Sequence, residues 1–318
     1  MVDYVVGIDL GGTKIYTALA TLDGKVRAEV KVPTQPEEGY RAVLERMAAT
    51  VEEVKRQAGF NHPPCRVGLG VPGPLDPVRG VVHVAPNLGW RDMPVKRDME
   101  DILGVPVYLD NDANLAAWGE YRFGAGRGTQ HLIYLTVSTG IGGGLILEGK
   151  IYRGACCLAG EIGHMTLWPE GPRCHCGNYG CLEALASGTA VAREARRLVA
   201  EGKGKGILAQ AGGDPEAITA KTVGMAAAAG DAEALALFQE VGRWLGIGLA
   251  TLLNLLNPEV IVFGGGMMAS SAFFWDTMVA EMQRRALPAT ASSVKLAKAE
   301  LGGRSGVLGA VALALEPV

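Results

Sequence analysis

The segment at residues 161–183, EIGHMTLWPEGPRCHCGNYGCLE, sets the tightest limit on what this chain can become. Three cysteines, two histidines and two bracketing glutamates share a stretch too rich in Gly and Pro for a long helix. Cys174 and Cys176 are separated by one residue, Cys181 follows a short loop with Gly and Asn, and His164 lies upstream. Three thiolates and one imidazole are the donor set of a closed tetrahedral zinc site. Buried structural cysteines beside a loop histidine are the plainer alternative, disfavoured by so dense a cluster of soft donors. Glu161 and Glu183 flank the cluster, so an ion that folded the loop would also fix where both acids leave it.

The remaining sequence narrows the class. A chain of 318 residues is long for one core and comfortable for two domains. A formal net charge of −3 with mixed signs offers no basic footprint, so nucleic acid is not an expected partner. The longest apolar region, residues 244–256, is interrupted by Gly, Thr and Asn, so no membrane span is expected. The opening MVDYVVGIDLGG reads as a strand rather than a signal peptide. Six cysteines, three of them in the metal-like cluster, suit a reducing compartment better than a disulfide framework, and a cytoplasmic location is expected.

Along the chain, apolar runs at 4–8 and 15–21 flank Asp9-Leu-Gly-Gly-Thr-Lys14, and a third strand follows the Asp23-Gly24 turn. This antiparallel start lacks the spacing and helix of a P-loop. Gly11, Gly12, Thr13 and Lys14 can still hold a phosphate through bare N–H groups, a hydroxyl and an ammonium, with Asp9 near a hydrated Mg²⁺. An ordinary Gly-rich β-turn reads the same hexapeptide equally well. Residues 39–58 form an amphipathic helix stopped by Gly59, and a buried strand at 66–71 runs into Pro72-Gly73-Pro74. Asn87 sits in a loop at 85–90, where Asn is ordinary turn chemistry.

A strand at 105–109 ends in Asp110-Asn111-Asp112, and a helix pattern starts at Ala113. Asp112 is therefore either a helix cap or a carboxylate placed at a strand end, where α/β folds put ligands. Residues 131–137 form a strand before Ser138-Thr-Gly-Ile-Gly-Gly-Gly144, with another strand at 145–147. The echo of the N-terminal turn suggests a duplicated domain. The glycine spacing does not support a dinucleotide fingerprint. One helix is expected over 184–200, a flexible connection over 201–214 and a helix over 231–256. A strand at 259–263 precedes the Gly264-Gly-Gly266 turn, which either admits a flat ring such as adenine or serves packing. The helix at 306–315 is expected to return to the first domain.

Taken in order, D-L-G-G-T-K at 9–14, N-D-A-N at 111–114, S-T-G-I-G-G-G at 138–144, E-I-G-H at 161–164 and C-H-C-G-N-Y-G-C-L-E at 174–183 span nearly the whole chain. This series resembles the ROK family of sugar kinases and repressors, and within it the bacterial ATP-dependent glucokinases. The cysteine segment is the specific part; the single glycine turns are not.

The resemblance implies an α/β, two-domain, actin-like (ribonuclease-H-like) sugar kinase fold with a central cleft. Residues 1–110 with 303–318 would form a small domain, and 111–302 a large domain carrying the zinc loop. It further implies Asp112 as general base for the 6-hydroxyl of glucose or a related hexose. Asn87, Asn111, Asp112, Glu161, His164 and Glu183 would bind the sugar. Asp9, Gly11, Gly12, Thr13, Lys14, Thr139, Gly140, Gly142 and Gly143 would flank the phosphates of ATP and its Mg²⁺, and Gly265 and Gly266 the adenosine. A structural Zn²⁺ would take His164, Cys174, Cys176 and Cys181. Cys156 and Cys157, where the family has small residues, read as packing thiols. A homo-oligomer, dimer or tetramer, is also implied.

Rival readings follow the same residues. A sugar-responsive repressor would need a helix-turn-helix ahead of the strand at Tyr4. Kinases for N-acetylglucosamine, N-acetylmannosamine, mannose or fructose would grip the shared hydroxyls alike, and polyphosphate is an alternative donor. The V-P-G-P-L-D and A-P-N-L-G-W segments at 71–76 and 85–90 favour glucose, and the intact metal loop favours ATP.

Overall fold

The computed structural model describes residues 3–317. β1 (Tyr4–Leu10), β2 (Lys14–Thr21) and β3 (Val26–Pro33) form an antiparallel meander, and α1 (Tyr40–Ala58) leads to β4 (Val67–Val71). β5 (Leu75–Asp76), β6 (Val81–Ala85) and β7 (Trp90–Met93) make a small separate sheet before α2 (Val95–Leu103), β8 (Val107–Asn111) and α3 (Asp112–Phe123). A second meander, β9 (Leu132–Val137), β10 (Ile141–Leu147) and β11 (Lys150–Ile151), precedes the cysteine loop. Then come α4 (Leu182–Ala186), α5 (Gly188–Ala200), α6 (Lys205–Gln210), α7 (Ala220–Ala228), α8 (Ala232–Leu256), β12 (Val260–Gly264), α9 (Trp275–Arg285), α10 (Pro288–Ser293), β13 (Lys295–Lys298) and α11 (Ser305–Leu315).

The two large sheets have orders β3-β2-β1-β4-β8 and β11-β10-β9-β12-β13. Each is therefore third, second, first, fourth, fifth in its own sequence, which is the duplication that the paired glycine turns suggest. In the first sheet β1 pairs antiparallel with β2 and parallel with β4, and β4 pairs parallel with β8. Two compact units result: 1–134 with 144–160 and 299–318, and 135–143 with 161–298. The sequence reading instead divides the chain at 110/111 and 302/303; α3 belongs with the first unit because it packs along α11.

In the first unit α1 buries Val43, Leu44, Met47, Val51 and Val54 and ends at Gly59, whose φ of 75° is the left-handed cap expected of Gly. Val307 and Val311 of α11 pack with Val5 and Ala18 of β1 and β2. That approach requires bare backbone. A Cβ on Gly68 would overlap the Ala310 carbonyl, and one on Gly309 would overlap that of Leu115. The return is also polar. Glu120 of α3 is fully buried, and its carboxylate accepts from the N–H groups of Ala125, Glu300 and Leu301 and from Ser305 Oγ at 2.7–3.1 Å. Four donors around one carboxylate offset its desolvation.

Several expectations need correction. The single helix over 184–200 is two, because Ser187 breaks out to an extended backbone and caps α5 through Ala190 N. The connection over 201–214 contains α6. The turn after β9 is shorter than expected: Ile141, Gly142, Gly143 and Gly144 already belong to β10. Cys156 is exposed and so is not a packing thiol; Cys157 is half-buried with a φ of 58°. Among the described residues no helix is long and apolar enough to cross a membrane.

The close α11 contact makes a direct forecast. Gly68→Ala should lower unfolding stability by about 1–3 kcal/mol, the usual size of an overpacking penalty. Equilibrium denaturation with an unchanged m-value checks it.

Candidate active site and metal centre

In the first unit, candidate residues collect at the carboxyl ends of parallel strands, where loops leave the sheet and backbone groups are open to a ligand. Asp9 pairs in register with Gly70, and Gly70 with Asp110, so the two acids stand two strands apart across a β4 residue that has no side chain of its own. Asp112 follows one turn later, and the Cβ position of Gly70 lies 3.8 Å from both Asp112 Cα and Asp9 Oδ1. The turn after β1 is closed by Gly11 N to Lys14 O at 2.9 Å and tied down by Thr34 Oγ1 to Gly11 O at 2.7 Å. Thr13 and Lys14 are exposed on it. Asn87, also exposed, lies against Gly12, whose Cβ position is 3.0 Å from Asn87 Cβ.

Burial raises the Asp9 carboxyl to about 7, with the neighbouring Asp112 adding to the shift and Lys14 opposing it. Asp9 keeps some solvent contact at its edge, yet protein atoms crowd it on the Gly306 side. Two acids this close, one of them crowded, are suited to a cation.

Asn111, not Asp112, caps α3. Its Oδ1 accepts from Ala113 N at 2.9 Å and Asn114 N at 3.3 Å, and its Nδ2 donates to Gly73 O at 3.3 Å. Asp112 occupies the first helical position, its Oδ1 accepting from Ala113 N at 2.9 Å. The corner is held from below by Asp110, only 1% exposed, which sequence reasoning passed over. Asp110 Oδ1 accepts from Asn111 N at 2.7 Å and Asn114 Nδ2 at 3.0 Å, while Oδ2 takes Arg153 at 2.7 and 2.8 Å. Nothing in the spacing of Arg153 from Asp110 announces that pair.

In the second unit, the cysteine loop folds on itself. Thr166 bridges to Cys181 and Arg173 to Tyr179, and Gly177 and Gly180 take φ values of 96° and 63°. The donor atoms of His164, Cys174, Cys176 and Cys181 all lie within 4.8 Å of one another. Cys176 and Cys181 are 3.7 Å apart at sulfur, and His164 Nδ1 is 3.8 Å from Cys174 Sγ. A tetrahedron of zinc–sulfur bonds about 2.3 Å long has edges of about 3.8 Å, so the four donors fit one ion. The other ring nitrogen, Nε2, faces Glu161 Oε2 at 3.9 Å. Burial pushes the Cys181 thiol up to about 12 and raises Cys174, whereas the Asn178 N–H lowers Cys176.

Cys181 is also the N-cap residue of α4, which puts Glu183 in the first turn of that helix. Its Oε2 accepts from Ile141 N at 2.9 Å and lies against Gly140. Ile141 was not singled out from sequence. The turn it ends is held on the far side too, by Gly188 N to Ser138 O at 2.7 Å and Thr189 Oγ1 to Thr139 O at 2.8 Å.

Beyond that turn lies a cavity of about 770 Å³, bounded by Thr139, Thr189, Lys221, Met225, Gly266 and Phe273 among others. Arg196 builds one wall by donating to the carbonyls of Pro215, Glu216 and Ile218 at 2.9–3.2 Å. Gly266 lines the cavity, while Gly265, with φ of 92°, allows the chain to press on the Val137 carbonyl. Gly142 and Gly143 lie in β10, away from the cavity lining. The Ala-rich α7 wall was missed because its small residues give no clear amphipathic period.

Comparisons with known proteins identify the family and the fold. A profile of the ROK family matches residues 5–317. The glucokinase of Halalkalibacterium halodurans is 38% identical over 310 residues, covering 96% of this chain and 93% of that protein. The ROK hexokinase structure from Thermus thermophilus is 39% identical with a TM-score of 0.83, over 98% of this chain and 97% of that one. The ROK family glucokinase from Streptomyces griseus, solved in complex with glucose and AMPPNP, is 36% identical with a TM-score of 0.82, over 98% and 99%. The actin-like, ribonuclease-H-like α/β fold is thereby shared with ROK sugar kinases.

Two outcomes follow from the buried acids. Arg153→Ala strands Asp110 without its counter-ion and should cost about 3–5 kcal/mol of stability, partly recovered by adding Asp110→Asn; denaturant titrations of the single and double variants read this. For Asp9, the folded carboxyl titrates above its unfolded value, so its contribution is fully present at acid pH and lost as pH rises towards 7. Asp9→Asn should therefore raise the Tm of metal-free protein at pH 7.5, with a gain that shrinks towards pH 5.

Proposed function

The chain belongs to the ROK family, and on that footing we propose that it transfers the γ-phosphoryl group of ATP to the 6-hydroxyl of glucose, releasing glucose 6-phosphate and ADP. The observation that carries this reading is Asp112, set at the first turn of α3 beside Asp9 and anchored through the buried Asp110. A sugar hydroxyl is a weak nucleophile at neutral pH. Asp112 accepts its proton as the new bond forms, a contribution of typically ~10²–10⁴-fold. Asn111 orients the same hydroxyl face: its Oδ1 is used as a cap, but an amide nitrogen has two N–H bonds and Gly73 takes one. Asn87, Glu161, His164 and Glu183 supply further acceptors and donors for the sugar ring.

The donor side draws on both glycine turns. Lys14 and the N–H groups of Gly11, Gly12 and Thr13 meet phosphate oxygens, as do Thr139 and Gly140, so transfer relies on positioning and charge neutralisation. The Met225 and Phe273 side of the large cavity accepts the adenine, with Gly266 beside it. Mg²⁺ carried with ATP, near Asp9, would neutralise charge on the β- and γ-phosphates. His164, Cys174, Cys176 and Cys181 would hold a zinc ion whose four positions are all taken by protein, which supplies a rigid centre and no open site for substrate. The same reading makes this a cytoplasmic enzyme with thiols kept reduced, in line with six free cysteines, and a homo-oligomer, which light scattering on the purified protein would measure.

The substrate is tested by ADP release over glucose, mannose, fructose and the N-acetylhexosamines, with ATP and polyphosphate as donors. Glucose with ATP should have the highest kcat/KM; preference for an N-acetylhexosamine would overturn the assignment. Asp112→Asn should lower kcat by at least ~10²-fold while glucose binding persists, as read by steady-state kinetics beside calorimetry. Cys176→Ser should lose zinc by elemental analysis and weaken glucose affinity. Because Cys174 and Cys181 hold their protons tightly, zinc affinity of the wild type should rise with pH.

A further inference from the structure

Glu183 is placed above among the sugar-binding acids, but its strongest contact points elsewhere. Its Oε2 takes the Ile141 N–H at 2.9 Å, a charge-assisted bond to the residue that ends the Ser138–Gly140 turn. A Cβ on Gly140 would strike that same oxygen, so the turn is seated directly on the carboxylate. The turn is in turn part of the lining of the 770 Å³ cavity. On its other side Glu183 is two residues from Cys181, and Leu182 N is bonded to Met165 O at 2.9 Å, which fixes the helix start. Oε1 lies 3.7 Å from Cys174 Sγ. Gly163, from the upstream arm of the metal loop, also presses on the Ile141 carbonyl.

We propose that Glu183 is a positioning residue for the nucleotide, coupling the state of the His164–Cys174–Cys176–Cys181 cluster to the conformation of the Ser138–Gly140 turn. Metal fixes Cys181, Cys181 fixes the first turn of α4, and the Glu183 carboxylate holds the Ile141 amide in the geometry that presents Thr139 and Gly140 to phosphate. The metal loop then governs donor affinity as well as sugar affinity. The inference rests on the cavity being the nucleotide site.

The test omits sugar, so that any role of Glu183 as a hydroxyl ligand is silent. AMPPNP affinity is measured by calorimetry for wild type, Glu183→Ala and Glu183→Gln, each zinc-loaded and after chelation, with circular dichroism to confirm folding. Glu183→Ala should weaken AMPPNP binding at least ~5-fold, the lower end of ordinary coupling between sites. Glu183→Gln, which keeps an acceptor for Ile141 N, should stay within ~2-fold of wild type. Chelation should weaken the wild type but add nothing to Glu183→Ala. Hydrogen exchange at the Ile141 amide should accelerate in Glu183→Ala and in chelated wild type. Unchanged AMPPNP affinity in Glu183→Ala, or equal Ile141 protection in all forms, overturns the proposal. Failure of folded wild type to bind AMPPNP would instead overturn the nucleotide reading, and the exchange measurement would still decide whether cluster and turn are coupled.

Discussion

A carboxylate almost without solvent must be given partners, and two such groups hold the first unit together. Asp110, at the end of β8, is met by Arg153, by an amide N–H and by the Asn114 side chain. Glu120, two turns further along α3, is met by the Ala125 N–H and, from the chain entering α11, by two more backbone N–H groups and a hydroxyl. Leaving either unpaired would cost several kcal/mol, so each demands one arrangement of its neighbours. The first demand fixes the Asn111–Asp112 corner. The second fixes the return of the C-terminal helix, whose close approach then depends on Gly68 and Gly309. Asp112 is thus positioned by buried polar bonds rather than by its own capping chemistry.

The metal-like loop works by a different constraint. Its residues have little apolar area to bury, and its turns run through left-handed glycines. Four donors gathered within 4.8 Å of one another would let a bound ion add to the small buried cluster of Cys174, Cys181 and Ala184. The loop ends as a helix cap at Cys181, so the geometry imposed there is handed directly to Glu183 and through it to Ile141. In the proposed enzyme, proton transfer belongs to Asp112 in the first unit, and the loop in the second sets the surfaces that receive substrates.

Much of this was legible in the residues. Alternating apolar runs marked β1–β3, and Gly59 marked the end of α1, because turn chemistry and periodicity are local properties. The donor set of the metal cluster was legible because four soft ligands in one Gly-rich loop have few other uses. Where local signals competed, reading failed. Ser187 broke an otherwise continuous helical pattern by capping α5, and Ile141 to Gly144 entered β10 although their composition reads as a turn. Ala-rich α7 and the cavity wall it builds carried no amphipathic signal.

By itself the sequence determined the strand–turn–strand openings of both halves and the four donor residues that the fold gathers at the cysteine loop. Each depends on neighbours close in the chain. Only the tertiary structure decided that Arg153 neutralises Asp110, that Asn111 rather than Asp112 caps α3, and that Glu183 reaches back to the Ile141 amide. Those bonds join residues up to about forty positions apart in the chain. The Arg153–Asp110 pair among them is dictated by the cost of burying charge once the sheet has formed.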